Sequence, residues 1–262
     1  MEKSRKHLEV KRLKTNKVKI LTFSIIFLSM AFLVTANTPL GAQDIVENRS
    51  ETVNISNYDP ESIEAIAGNL TQIHITGITQ TKSWQGFFGN VTGTITLEDA
   101  AGNRFYDWSA VNPQGQVYAS INETISWSTV ECAPMHTDNT FLGRWHTVYG
   151  MNNSDYDSIN NTFNLTSHPE IYVGYETING CPTTNPFVNS ASQQDDFFNL
   201  LLTSDSQSTL VFTTILETRE TGVRGSKEGF DGGMYDFQLL VAEDGSQGNS
   251  DTTTYYFWVE IS

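Results

Sequence analysis

Apolar and polar residues alternate along most of the chain beyond residue 69, and a period of two predicts β-strands. The clearest run extends from Phe87 to Glu98, where one parity is mostly apolar and the other mostly polar. Turn residues at 99–103 and 112–115 follow, so residues 87–121 are predicted to form a β-meander. Residues 209–217 are apolar on both parities, which indicates a strand buried on both faces. The alternation from Tyr255 to Ile261 predicts that the C-terminus lies in a sheet.

The middle of the chain, residues 132–205, is less regular. Residues 145–149 and 171–175 are predicted to be strands, and residues 193–201 are predicted to form a short helix after a serine cap. Many strands with few helices predict an all-β fold, an antiparallel two-sheet sandwich or jelly-roll-like domain. We expect one such domain from residue 69 to residue 262.

The N-terminal region has the order of charge and hydropathy that directs export. Residues 1–19 hold eight of the fifteen Lys and Arg residues, and an apolar run of seventeen residues follows at 20–36. This order is typical of a secretory signal, with small residues up to Ala36 as a cleavage site. The run also approaches the length of a transmembrane helix, so an uncleaved N-terminal hydrophobic helix with its basic end in the cytoplasm is the alternative. Both alternatives place the rest of the chain on the extracellular face of the cell membrane or in the medium.

Residues 37–68 are polar, acidic and nearly aperiodic, which predicts a stalk or leader. Val53 and Ile55 alternate briefly within it. A short strand there could add to a neighbouring subunit's sheet, in which case deleting residues 37–60 would abolish assembly.

Charge excludes one class of partner. The formal net charge is −15, and beyond residue 19 only seven basic residues face twenty-eight acidic ones. Such a surface repels phosphate backbones, so we expect no nucleic-acid partner. Calcium and cationic partners fit it, as does simple solvation of the acidic side chains.

Two features predict covalent modification outside the cell. Cys132 and Cys181 are the only cysteines, and a pair in an oxidising compartment predicts one disulfide bond. Eight Asn-x-Ser/Thr sequons follow the apolar run and predict a glycoprotein. They are Asn48, Asn54, Asn69, Asn90, Asn122, Asn152, Asn160 and Asn164.

Catalytic motifs for phosphate binding, zinc proteolysis or serine hydrolysis do not occur in the sequence. Asp195 and Asp196 are adjacent, so their side chains diverge and poorly suit the carboxylate pair of a glycoside hydrolase. Glu228, Asp231 and Asp236 lie around glycines, a composition that favours either a calcium loop or a solvated turn. We therefore expect no enzyme and no cofactor, with calcium as the possible exception.

Six aromatic residues lie on the parity opposite the predicted core. Packing between two layers or cover by the middle segment would bury them, whereas an exposed strip could bind sugar rings or another subunit. They are Phe88, Tyr106, Trp108, Tyr118, Tyr256 and Trp258.

The runs Ala67–Ile73 and Thr79–Gly93 (TQTKSWQGFFGNVTG), with later echoes at 97–100, 229–232 and 235–238, resemble a group of archaeal secreted or cell-surface proteins. The resemblance implies an archaeal envelope setting, in which N-glycans and acidic surfaces are usual, and it supplies no catalytic residues. The expected function is that of an exported envelope structural or interaction protein of the adhesin, sheath or filament-subunit type. The alternatives are an extracellular carbohydrate-binding module and a secreted hydrolase.

Overall fold

The computed structural model describes residues 38–47, 49–51, 60–109, 114–174, 176–193, 196–217, 227–244 and 252–261. All belong to one compact unit, Thr38–Ser262. Among them, helical structure is confined to α1 (Asn139–Val148), α2 (Ile159–Thr162) and a 3-10 turn at Trp127–Thr129. No helix in these ranges is long and apolar enough to cross a membrane. The predicted N-terminal helix at 20–36 lies outside the described residues.

The described part of the chain is mostly β, and its strands pair antiparallel, as predicted. The strands are β1 Leu40–Gly41, β2 Trp84–Gly89, β3 Thr94–Glu98, β4 Arg104–Ser109, β5 Gly115–Ser120, β6 Glu131–Cys132, β7 Ile171–Val173, β8 Glu176–Ile178, β9 Thr183–Thr184, β10 Phe187–Val188, β11 Ser192–Gln193, β12 Asn199–Ser204, β13 Thr209–Ile215, β14 Lys227–Glu228, β15 Met234–Tyr235, β16 Phe237–Ala242 and β17 Tyr256–Ile261.

A seven-stranded sheet with the order β1-β17-β5-β13-β12-β6 forms the centre, and β9 also pairs with β12. β12 is buried throughout and β13 almost throughout, which confirms the prediction of burial on both faces for residues 209–217. The predicted C-terminal strand is also confirmed, because β17 pairs with β5 over six residues. Leu40 and Gly41, in the predicted leader, pair with β17 on its other side.

Each face of this sheet is covered by its own hydrophobic cluster. On one face, Leu201 and Phe212 pack with α1 and with the two-stranded ribbon of β2 and β16. On the other face, Tyr118, Leu200 and Trp258 pack with residues of the β7–β8 hairpin. Adjacent residues of a strand point to opposite faces, so a central strand that is covered on both sides must be apolar on both parities.

The prediction of a strand at 145–149 is wrong, because these residues end helix α1. Asp138 begins the helix: its Oδ1 accepts hydrogen bonds from the backbone N–H groups of Thr140 (2.8 Å) and Phe141 (3.2 Å). Phe141, Leu142 and Trp145 form the buried stripe of the helix. Phe141 and Leu142 lie four and three residues before Trp145, and this spacing is that of one face of a helix rather than of one face of a strand.

The prediction of a helix at 193–201 is also wrong. Residues 199–204 form β12 instead, and Phe197 before it has a φ of 53°, a left-handed conformation that interrupts a helix. The backbone N–H of Phe197 donates to Glu217 Oε1 at 2.8 Å, which holds the chain at this bend.

The predicted meander is confirmed only for the β3–β4 hairpin and its turn at 99–103; the rest is wrong, since the run 87–98 divides between two sheets. β2 pairs with β16, β3 pairs with β4, and β5 pairs with β13 and β17. The division falls at residues 90–93, where the backbone N–H of Val91 donates to Asp236 Oδ2 at 2.9 Å. Gly93 packs so closely on Ile261 that a Cβ would collide with it. These contacts direct β3 away from β2.

Candidate functional site

The disulfide bond between Cys132 and Cys181 is confirmed, with its Cα atoms 4.9 Å apart. His168 supports it: Nε2 accepts a hydrogen bond from the backbone N–H of Cys181 at 2.9 Å, and Nδ1 lies 2.7 Å from the carbonyl oxygen of Pro169. Both contacts are satisfied by a neutral imidazole protonated on Nδ1. Burial lowers the pKa of His168, which favours the same neutral form.

Two of the three carboxylates considered for calcium have partners of their own, and the third is exposed. Asp231 Oδ2 binds Arg49 Nη2 at 2.9 Å, and this hydrogen bond lowers the pKa of Asp231. Asp236 is buried and accepts from Val91, whereas the side chain of Glu228 is exposed. Gly232 between them has a φ of 79°, as the turn alternative requires. Across the described ranges no group of three or more His, Cys, Asp or Glu side chains is placed to hold a metal ion, and the calcium hypothesis stays a prediction.

The carboxylates with unusual acidity have structural roles. Burial raises the pKa of Glu217 and of Glu260. Glu217 accepts from the backbone of Phe197, and Glu260 accepts from the hydroxyl of Tyr118 at 3.0 Å. These two groups therefore connect parts of the fold, and their pKa shifts need no catalytic explanation.

The predicted glycosylation sites differ in accessibility. Asn69, Asn90, Asn152 and Asn164 are exposed. Asn122 is half-buried, with Nδ2 donating to Thr209 Oγ1 at 2.7 Å, and Asn160 is half-buried with a buried Oδ1. Asn48 and Asn54 lie outside the described residues. Glycosylation itself stays a prediction, and the four exposed sites are the most accessible of those described.

An apolar face on the β3–β4 hairpin is the main exposed feature. Ile95 pairs with Trp108 and Leu97 pairs with Tyr106, and the four side chains are 45–57% exposed. The rings of Tyr106 and Trp108 lie against each other, with their centroids 4.7 Å apart. Neither strand pairs with any other described strand, so both hairpin edges present unpaired backbone groups. We call these four residues the hairpin face.

A second exposed apolar feature precedes β2. Residues 69–80, all described, lie in no helix or strand and are exposed throughout. Leu70, Ile73, Ile75 and Ile78 are each more than half exposed. We call residues 69–80 the donor segment, since a segment outside the sheets with apolar residues at Ile73 and Ile75 has the pattern of a strand that could be added to another sheet.

A groove of about 590 Å³ with a mixed polar and apolar lining opens on another part of the surface, beside Trp84. It is lined by Thr81, Trp84, Tyr156, Asp157, Asn161, Thr162, Asn164, Leu165, Thr184, Asn185, Gln193 and Leu240. Tyr156 at its rim is fully exposed, and the indole Nε1 of Trp84 donates to the carbonyl oxygen of Asp157 at 2.6 Å. No local pattern in the sequence indicates this groove, because residues from four distant segments line it.

Of the six aromatics singled out in the sequence, Tyr118 and Trp258 are buried in the second cluster beside Ile171 and Val173, which confirms cover by the middle segment for this pair. Phe88 is half-buried against Phe230 and Tyr235. The remaining three, Tyr106, Trp108 and Tyr256, are exposed.

Comparison of the chain with known protein families, curated proteins and solved structures finds no match.

Proposed function

We propose that the chain is an exported, non-catalytic structural protein of the cell envelope, and that its copies associate when the donor segment of one covers the hairpin face of another. The observation that carries the proposal is the hairpin face, four large apolar side chains on a hairpin with two unpaired edges. A soluble protein rarely leaves such a face and such edges uncovered.

Charge supports the donor segment of a second copy as the occupant. Residues 65–97 contain no Asp or Glu, although the whole chain has thirty acidic residues and a net charge of −15. Most surfaces of two copies repel each other, whereas this stretch can approach an acidic neighbour without repulsion. The donor segment is also apolar at alternate positions around Ile73 and Ile75, as a strand added to a hairpin edge requires.

Covering the hairpin face would supply part of the free energy of association. Tyr106 and Trp108 are each about half exposed, so covering them removes roughly 100 Å² of surface per ring. At about 25 cal/mol per Å² the two rings together contribute about 5 kcal/mol before the entropy of association is subtracted. The aliphatic side chains and the new backbone hydrogen bonds add to this.

Export and architecture complete the proposal. The basic and apolar N-terminal residues, the disulfide and the accessible sequons all fit a domain that folds outside the cell, secreted or anchored by residues 20–36. The β2–β16 ribbon packed on the seven-stranded sheet favours the two-sheet sandwich over a single-layer arrangement. The resemblance to archaeal cell-surface proteins favours an archaeal envelope.

Matched substitutions test the association. In exported full-length protein, Ile95→Asp on the hairpin face is expected to abolish oligomers, measured by light scattering and electron microscopy. Thr96→Asp is the control, since it adds the same charge at the next exposed residue, on the opposite side of the hairpin. Monomers at all concentrations of the unmodified protein, or equal effects of both substitutions, would overturn the proposal.

Cross-linking separates association between copies from folding back within one copy. One chain carries Ile75→Cys and another carries Leu97→Cys, and the two are mixed under oxidising conditions. A disulfide-linked dimer containing one copy of each is the expected product. If only a chain carrying both substitutions cross-links, as a monomer, the donor segment covers its own hairpin and the intermolecular proposal is wrong.

A further inference from the structure

We infer that the groove beside Trp84 is a binding site for a neutral sugar residue. It is distinct from the hairpin face and shares no residue with it. Its volume of about 590 Å³ lies within the range of roughly 300–1,000 Å³ that is usual for small-molecule sites. The inference does not depend on self-association.

The lining selects an uncharged, hydroxyl-rich ligand. No Lys or Arg lines the groove, and Asp157 is its one acidic residue. Phosphates, sulfates and carboxylates would need cationic partners here, so anions are disfavoured. The remaining polar groups are amides and hydroxyls, which hydrogen-bond well to sugar hydroxyls because each hydroxyl both donates and accepts.

Apolar groups complete the match. Trp84, Tyr156, Leu165 and Leu240 stand among the polar lining residues. A sugar ring has hydroxyls around its rim and C–H groups on its faces, and an aromatic side chain can cover such a face. Tyr156 is fully exposed at the rim, so it is placed to lie over a ligand with little rearrangement of the core.

Internal hydrogen bonds fix the groove before a ligand binds. The Trp84 indole donates to Asp157 O at 2.6 Å, and Thr81 Oγ1 donates to the carboxylate of the same residue. Asn161 Nδ2 donates to Asp155 O at 2.7 Å, and Asn185 Nδ2 donates to Asp196 O at 3.2 Å. A lining held in this way loses little conformational entropy on binding.

The sugar has two possible sources, because Asn164 lines the groove and also begins a sequon. A glycan attached to Asn164 would place its first sugars at the groove of the same molecule. A glycan of another molecule would reach an empty groove from solvent. Thr166→Ala separates these cases, since it removes the sequon and Thr166 does not line the groove.

The experiment measures saturable binding of neutral monosaccharides and disaccharides (glucose, galactose, mannose, N-acetylglucosamine) to full-length protein, by saturation-transfer NMR and calorimetry. Protein without N-glycans is expected to bind at least one of them, and Tyr156→Ala is expected to weaken that binding about tenfold. Tyr172→Ala is the matched control, an exposed tyrosine outside the groove, and is expected to leave binding unchanged.

Glycosylated protein identifies the source. If glycosylated protein binds added sugars only after Thr166→Ala, the groove holds its own Asn164 glycan. If it binds them with or without that substitution, the ligand belongs to another molecule. Absence of saturable binding by glycan-free protein, or equal weakening by Tyr156→Ala and Tyr172→Ala, would overturn the inference. Tyr156→Ala is expected to leave self-association intact, so the two proposals fail separately.

Discussion

Asn199 joins the seven-stranded sheet to the β2–β16 ribbon, and its replacement gives the sharpest test of how the layers are held together. Its side chain is fully buried. Nδ2 donates to the carbonyl oxygens of Phe197 (2.7 Å) and Gln238 (2.8 Å), and Oδ1 accepts from the backbone N–H of Leu240 (2.7 Å). Gln238 and Leu240 lie on the edge of β16 that does not face β2, so Asn199 takes the place of a neighbouring strand.

Asn199→Ala is expected to lower the free energy of unfolding by about 4 kcal/mol. The carbonyl oxygen of Gln238 keeps a partner, since Thr214 Oγ1 also donates to it at 3.1 Å. The N–H of Leu240 loses the acceptor Oδ1 inside the protein, at a cost of about 1–3 kcal/mol, and the two lost Nδ2 bonds cost about 1 kcal/mol each. With a urea m-value of about 2 kcal/mol/M, the midpoint should fall by about 2 M.

Urea unfolding followed by tryptophan fluorescence measures this loss. Asn139→Ala is the control, because Asn139 is exposed in the first turn of α1 and its replacement should change stability by less than about 0.5 kcal/mol. Asn199→Asp keeps the shape but places a carboxylate oxygen against two carbonyl oxygens, so it should destabilise more at neutral pH than in acid. Equal midpoints for Asn199→Ala and Asn139→Ala would refute the reasoning.

Three further predictions concern the disulfide, a helix cap and one histidine. Replacing Cys132 and Cys181 by Ala is expected to lower the free energy of unfolding by about 4 kcal/mol, because the bond closes a 49-residue loop; denaturant melts measure this. Asp138→Ala should cost about 1 kcal/mol through loss of the α1 cap, again in denaturant melts. His168→Gln is expected to reduce the loss of stability between about pH 7 and pH 5, seen in melting temperatures across that range.

The sign of the histidine effect follows from its lowered pKa. Native His168 stays neutral while the unfolded chain takes up a proton below about pH 6.5, so stability falls as the pH falls through that value. Glutamine can accept from Cys181 without titrating. The raised pKa values of Glu217 and Glu260 make stability rise as the pH falls, which is the opposite effect. This contribution is the same in the unmodified protein and in His168→Gln. If the melting temperatures of the unmodified protein and of His168→Gln fell in parallel between about pH 7 and pH 5, the role assigned to His168 would be contradicted.

Controls exist for the other two predictions. Asp138→Asn keeps a side-chain acceptor at the cap and should retain most of the stability. Reducing agent should lower the midpoint of the unmodified protein and leave that of the cysteine-free variant unchanged. A reductant effect on the cysteine-free variant would show that the loss has another cause.

Features that depend on neighbouring residues could be predicted from the sequence. The apolar run at 209–217 and the alternation before Ile261 became β13 and β17, because burial on two faces or one face leaves a local pattern. The disulfide followed from two cysteines in a chain whose N-terminal pattern predicts export. None of these inferences required knowledge of which strands pair.

Features that depend on distant residues could not. β2 pairs with β16, about 150 residues away, and nothing in the sequence of either strand indicates which strand it pairs with. Helix α1 was missed because its apolar residues include aromatics that also suit strands, although Asp138 before it was a readable cap. Trp108 and Trp258 were both assigned to the side of the strand opposite the predicted core. However, β17 lies between two strands, whereas among the described strands β4 pairs only with β3. Their exposure therefore depends on topology.

The coincidence of two properties in one stretch favours the proposed docking over simple solvation. Half of the twenty-two exposed large apolar side chains in the described ranges lie between Ile63 and Trp108. Acidic residues are absent from 65–97, most of the same stretch. A surface that only had to remain soluble would place charges beside exposed apolar residues, as strands at risk of aggregation usually do. The proposed docking on an acidic neighbour would require the opposite arrangement, apolar residues without like charge; residues 65–97 have it, whereas the β3–β4 hairpin carries Glu98, Asp99 and Asp107.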